Sequence, residues 1–174
     1  MVEIINKLLS LATVFADLFL ILGVLYFWLQ KENDQIKKFL TKNSILFAWI
    51  VALSATLLSL YYSNILGFEP CSLCWWQRVF IYPQAIILGM AYFKKEKIEA
   101  VKYSYVLTII GALFALYQNA LYYGAPQIGS CDSSITAISC TKLYILEFGY
   151  VTIPMMSLTA FLLIIFFLKI AKKK

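Results

Sequence analysis

Histidine is absent from this 174-residue chain. Its absence removes haem ligation by protein histidine, covalent haem attachment at a Cys-x-x-Cys-His site, and every Ser-His or Cys-His nucleophile. Charge is scarce as well. Charged residues make up 14% of the chain and hydrophobic residues 62%, with a mean hydropathy of +0.80, whereas a soluble domain carries roughly 25% charged residues. The chain is therefore read as an integral membrane protein. No nucleotide-binding glycine motif, internal repeat or low-complexity segment is present. Acidic residues number 9 against 15 basic ones, for a net charge of +6. That excess calls for no nucleic-acid partner, because most of it is lysine placed to meet anionic lipid headgroups.

Long apolar runs are what the chain has in abundance. A helix crossing a hydrocarbon core of about 30 Å needs roughly 20 residues. Five runs qualify, near residues 8–29, 44–66, 75–93, 103–123 and 149–168. They are joined by short connections into one compact all-α bundle, with residues 30–43 read as a charged loop. Lysines sort these loops by side, since cytoplasmic loops carry the Lys/Arg excess. Lys31, Lys37, Lys38, Lys42, Lys94, Lys95, Lys97, Lys102, Lys169, Lys172, Lys173 and Lys174 share one face. That face is predicted to be cytoplasmic, together with the C-terminus. The N-terminus and the loops holding the cysteines then face outward. The first run is expected to be a retained span rather than a cleaved signal, being long, holding Asp17 and lacking a small-residue cleavage site. An acid at mid-membrane marks a functional position by default; the plainer reading of Asp17 is a bond to a neighbouring helix that fixes packing.

Tyr61, Tyr62, Trp75, Trp76, Tyr122 and Tyr123 gather at the outward ends of three spans, where an interfacial aromatic belt accounts for most of them. Trp75 and Trp76 could also wall a flat ring-shaped cofactor. Pro83 and Pro154 are expected to kink the third and fifth spans.

The four cysteines fall in two close pairs, Cys71 with Cys74 and Cys131 with Cys140, all on the oxidising side where disulfides persist. Cys71-Ser72-Leu73-Cys74 opens a helical run, so a thiolate at Cys74 lies near the positive helix end with Arg78 one turn on. An all-thiolate zinc site is disfavoured, because one tight C-x-x-C is matched with a wide eight-residue interval; no metal is expected. Two purely structural disulfides remain an alternative, although a C-x-x-C bridge closes too small a loop to stabilise much. Thiol–disulfide exchange is the principal reading. One pair sits at a helix end and the other on a polar loop, 124–148, whose composition suits reaching a partner outside the membrane.

Pro70-Cys71-Ser72-Leu73-Cys74-Trp75-Trp76-Gln77-Arg78 resembles the P-C-x-L-C-x-x-x-R signature of the DsbB family of disulfide bond formation proteins. Tyr117-Gln118-Asn119, Cys131-Asp132, and Cys140 followed by Phe148-Gly149-Tyr150-Val151-Thr152-Ile153-Pro154 resemble that family's second outer loop and last span. The short Cys131 to Cys140 interval is similar to its BdbC-like members. The resemblance spans roughly 44–168. It implies a DsbB-like four-helix membrane domain over 44–174, preceded by an extra transmembrane helix and cytoplasmic loop over 1–43. It also implies a bacterial cytoplasmic membrane location and an enzyme that passes electrons from a soluble DsbA-like thioredoxin-fold oxidase to a membrane quinone, ubiquinone or menaquinone.

By that resemblance Cys131 forms the mixed disulfide with the partner, Cys140 resolves it, Cys71 exchanges with this second pair, and Cys74 delivers electrons to the quinone. Arg78 would hold the quinone carbonyl as it gains negative charge, with Trp75 and Asn119 as further cofactor contacts. Asn119 stands where many members have a histidine, and Gln77 where some have an acid, so proton delivery is the role least supported here. The rival readings are a quinone-linked reductase of the vitamin K epoxide reductase type, separated by substrate, and a non-enzymatic membrane protein with structural disulfides. The latter would keep full activity after Cys74→Ser.

Overall fold

In the computed structural model the described residues are 2–29, 35–94, 97–127 and 140–172. They form five α-helices: α1 (Val2–Leu29), α2 (Gln35–Leu60), α3 (Ser72–Lys94), α4 (Lys97–Tyr122) and α5 (Ile153–Lys172). A π-helical turn, Tyr61–Ile65, prolongs α2. Among the described residues the only extended pairing is an isolated bridge between Glu147 and Val151. The protein is an all-α, multi-pass membrane protein. Four helical stretches, Glu3–Leu29, Gln35–Ile65, Glu99–Tyr122 and Ile153–Lys172, are long and apolar enough to cross a bilayer.

The third expected span, α3, has the length but a lower hydropathy. Its 23 residues extend about 35 Å at about 1.5 Å each, but Gln77, Arg78 and Gln84 dilute its apolar character. Gln77 and Gln84 face protein rather than lipid. Gln84 is fully buried and its Nε2 donates to the Ser104 carbonyl of α4 at 3.0 Å. Sandwiched between α2 and α4, α3 satisfies polar groups that lipid would leave bare.

Several boundaries differ from the hydropathy expectation: α1 begins at Val2, not 8, and α4 at Lys97, not 103, each helix extending past its apolar run. Helix α2 begins at Gln35, not 44, because the helix continues past the apolar run and carries Lys37, Lys38 and Lys42 on its first turns. Helix α5 begins at Ile153, not 149. Phe148 and Gly149 both take positive φ, 53° and 78°, in a turn closed by the Glu147–Val151 bridge. Thr152 then caps the helix, its Oγ1 accepting the Met155 N–H at 3.2 Å. Pro154 consequently sits in the first turn, where no intrahelical N–H is required, so the kink expected there has no cause.

Helices α2, α3, α4 and α5 close into a ring, each packed on two neighbours. Its core holds Ala48, Ala52, Leu88, Ala115, Phe161, Ile164 and Leu168, all essentially inaccessible. Gly111 lets α4 and α5 approach, since a Cβ there would run into the Phe161 ring. Helix α1 lies outside this ring, packed chiefly on α5. Its outer face shows Ile4, Leu8, Phe15, Leu18, Leu22 and Trp28 to the surroundings, as suits a lipid-facing surface. Asp17 is tied to α5 and the turn before it. Thr159 Oγ1 donates to Oδ1 at 2.7 Å and Tyr150 OH to Oδ2 at 3.4 Å. Tyr62 OH donates to Asn6 Oδ1 at 3.0 Å, and Phe27 meets Phe166 edge-on with centroids 5.7 Å apart.

Candidate active site

Cys71 stands at the N-cap of α3. Its sulfur accepts the Cys74 N–H at 3.4 Å and its carbonyl accepts the Trp75 N–H at 3.0 Å, which occupies donors and acceptors of the first turn. The C-x-x-C spacing then brings the second sulfur back over the cap, and the two Sγ atoms lie 2.9 Å apart. Cys71 is buried, while Cys74 is partly exposed. The hydrogen bond with the Cys74 sulfur, reinforced by burial, pushes the Cys71 thiol above the ordinary thiol range.

Gln118 of α4, inaccessible to solvent, binds the pair together. Its Nε2 approaches Cys71 Sγ at 3.2 Å, Cys74 Sγ at 3.3 Å and the Cys140 carbonyl at 3.4 Å. Its Oε1 accepts Gln77 Nε2 at 2.6 Å and the Cys74 thiol at 3.7 Å. Neither glutamine is marked by the sequence alone as a partner of the thiols. The available signal was that each falls on a buried face of an apolar helix, where an amide must find partners.

Cys140 is disulfide-bonded and buried against the first pair, in a cluster with Cys71, Leu73 and Leu121. The Ser72 hydroxyl lies 3.6 Å from its sulfur. Cys131 falls within 128–139, outside the described residues. The final part of the second cysteine loop is anchored rather than free. Tyr122 OH donates to the Lys142 carbonyl at 3.1 Å, Tyr144 OH to the Glu69 carbonyl at 3.2 Å, and the Phe68 and Tyr144 rings stack at 4.7 Å.

Arg78 reaches from α3 to α2, its Nη2 donating to the Ser59 carbonyl at 3.3 Å, and its guanidinium lies 5.3 Å from the Trp75 ring centroid. The π-helical turn just beyond Ser59 interrupts the regular i to i+4 ladder, as such turns do at functional sites. Cys71, Cys74, Gln77, Arg78, Gln118 and Tyr122 together form the polar end of a cavity of about 350 Å³. Residues of α1, α2 and α5 make its apolar walls.

Trp75 and Asn119 do not line this cavity. Trp75 is 55% exposed. Asn119 is buried, giving Nδ2 to the Ala115 carbonyl at 2.8 Å and accepting Thr152 Oγ1 at 3.5 Å. Trp76 stacks on Phe114 at 5.6 Å.

The cavity is thus apolar along its length and ends at two thiols, an amide pair and one guanidinium. The sequence profile of the family described as disulfide bond formation protein DsbB matches residues 41–171. The chain belongs to the DsbB family. It is 40% identical over 134 residues to disulfide bond formation protein C of Bacillus subtilis (strain 168), covering 75% of this chain and 96% of that one. A probable disulfide formation protein of Coxiella burnetii (strain RSA 493 / Nine Mile phase I) is 38% identical over 138 residues, 78% of this chain and 92% of the relative. One from Chlamydia caviae is 38% identical over 126 residues, 71% and 88% respectively. No solved structure matches the chain. The DsbB match begins within α2, so α1 lies wholly outside it.

Proposed function

We propose that this DsbB-family protein is a thiol:quinone oxidoreductase that reoxidises a DsbA-like thioredoxin-fold protein and so sustains disulfide bond formation. The supporting observation is the Cys71–Cys74 pair, bridged by Gln118 and set with Arg78 at the polar end of an apolar cavity. The lysine-rich end faces the cytoplasm and the thiol end the periplasm or exterior of a bacterial cytoplasmic membrane, following the lysine distribution. Residues 44–174 carry the redox domain, with 1–43 adding α1 and the first turns of α2.

Electrons pass in three exchanges. A thiolate of the reduced partner attacks the Cys131–Cys140 disulfide at Cys131, and Cys140 leaves as a thiolate. The partner's second thiol then breaks the mixed disulfide, so the partner departs oxidised with Cys131 and Cys140 reduced. That dithiol next reduces the Cys71–Cys74 disulfide through attack at Cys71, and re-forms its own bond. Cys140, already packed against Cys71, needs little displacement for this step. A bound quinone supplies the two-electron, two-proton acceptor that returns Cys71 and Cys74 to the disulfide.

Within the cavity the protein positions and excludes water. Gln118 orients both sulfurs through one amide nitrogen, and Gln77 holds that amide. Arg78 places a permanent cation one turn below Cys74, where negative charge develops on a carbonyl oxygen in a dry site.

The test is quinone reduction by purified protein supplied with a reduced thioredoxin-fold partner. Cys74→Ser and Cys131→Ser should each reduce turnover to the uncatalysed background, and Cys131→Ser should still reduce quinone with dithiothreitol. Wild-type turnover with neither ubiquinone nor menaquinone, or full turnover in Cys74→Ser, would overturn the proposal.

A further inference from the structure

The cavity that starts at Cys74 and Arg78 does not end inside the four-helix ring. It follows the seam where α1, α2 and α5 meet, bounded there by Ala12 and Ala16 of α1, Ile50 and Val51 of α2, and Leu163 of α5. The same five residues also border a second apolar recess, which continues past Phe47 toward the opposite end of α2. The two hollows therefore adjoin along one seam, with these five residues as their common wall. Helix α1 holds to α5 through Asp17 and Thr159 and stands off α2, so the slot lies between α1 and α2 and faces the surroundings of the bundle.

The chemistry of the slot selects its occupant. Thr13, the polar residue of α1 nearest the alanines, turns its hydroxyl back to the Leu9 carbonyl at 2.9 Å, and Asp17 is engaged by α5. Beyond the hydroxyls of Ser54 and Ser157 the walls are apolar and no charge is offered along the seam, so an ionic ligand gains nothing there. A flexible hydrocarbon chain does. Ala12 and Ala16 stand one helical turn apart on one face of α1, opposite the branched side chains of α2. Any larger residue at either position would narrow the slot.

We infer that α1 and α2 form a lateral portal through which the polyprenyl tail of the quinone runs from the thiol site to the lipid, with Ala12 and Ala16 setting its width. This rests on the quinone reading above and adds a binding element from a helix beyond the DsbB-family match. The ring site belongs to α2–α5, whereas the tail channel needs α1 as its second wall.

The test separates tail from ring. A long-tailed polyprenyl quinone bearing a photoreactive diazirine on its tail is irradiated with the intact protein in lipid nanodiscs, and adducts are mapped by mass spectrometry. Adducts on α1 near Ala12 and Ala16 and on α2 near Ile50 and Val51 are expected. They should be lost in Ala16→Phe and in Ala12→Phe but retained in Leu18→Phe, which alters the exposed face of α1. In turnover, Ala16→Phe should raise KM for the long-tailed quinone about tenfold while leaving a tail-free parent quinone within about twofold, the pattern of lost uniform binding. Tail adducts confined to α3 or α4 in the wild type would overturn the portal. So would a diazirine-labelled phospholipid that marks the same residues and competes equally, since the slot would then be an acyl-chain site. Equal loss with long-tailed and tail-free quinones in a folded Ala16→Phe protein would also overturn it. Failure of the wild type to reduce even the tail-free quinone would instead count against the quinone reading itself.

Discussion

The added helix α1 is more apolar than three of the four helices of the α2–α5 ring, yet it is held in place by fewer contacts. The ring interlocks, with alanines and a glycine admitting large side chains such as Phe161 and with aromatic rings stacked across its seams. Helix α1 touches it along one side and relies on a few polar clamps, Asp17 with Thr159 and Tyr150, and Asn6 with Tyr62. In lipid the hydrophobic effect does not drive one apolar helix onto another, so close packing or hydrogen bonds must do so. The ring combines both, with bonds such as Trp49 to the Ala85 carbonyl, Gln77 to Gln118 and Gln84 to the Ser104 carbonyl. Helix α1 has three clamps and the Phe19 and Phe27 contacts, on one side only. Damage to the ring should therefore disturb fold and chemistry together, while damage to α1 should leave the thiol chemistry standing.

The largest difference is expected at the centre of the ring. Gln118→Leu removes the donor shared by both sulfurs and strands the Gln77 amide, so turnover should fall roughly 10- to 100-fold, with a stability loss of about 1–3 kcal/mol from the unsatisfied partner. Quinone absorbance and detergent thermal melts read the two effects, and full activity in Gln118→Leu would deny the amide its positioning role. Gly111→Leu comes next. It forces a side chain into the α4–α5 contact and should cost about 1–3 kcal/mol, lowering the melting temperature, whereas the same size of change at Leu18 on α1 should be nearly silent.

Within the site, the two thiols should separate under alkylation of the reduced protein. Its hydrogen bond with the Cys74 sulfur and its burial raise the Cys71 thiol above the usual range, so it keeps its proton at neutral pH. Iodoacetamide at pH 7 should then label the more exposed Cys74 first, with Cys71 following only at alkaline pH; equal labelling at pH 7 would contradict this ordering. The smallest effect belongs to α1. Asp17→Ala should cost about 1 kcal/mol, in line with interhelical hydrogen bonds in membranes, and should leave reduction of a tail-free quinone unchanged. A large loss there would mean that α1 supports the ring itself.

The apolar runs placed the helices because a bilayer imposes length and hydrophobicity on any crossing segment. The spacing of Cys71, Cys74 and Arg78 was legible because three or four residues on a helix is one turn, so local geometry brings them to one end without help from the rest of the chain. Boundaries read less well. The start of α2 lay in charged sequence that hydropathy treats as loop, and the start of α5 was decided by Thr152 and the positive-φ pair Phe148 and Gly149. Gln118 was invisible as a thiol partner because it lies 44 residues from Cys74, and only the packing of α4 on α3 joins them.

By itself, the sequence determined that this is a membrane protein with a C-x-x-C at a helix start and a cation one turn below, since each of these follows from composition or from contacts a few residues apart. Only the tertiary structure decided that Gln118 and Gln77 hold the thiols, that Cys140 packs against them while Trp75 and Asn119 lie off the cavity, and that α1 walls the slot beside α2. Those relations join residues tens of positions apart, and they exist only once the helices have chosen their neighbours.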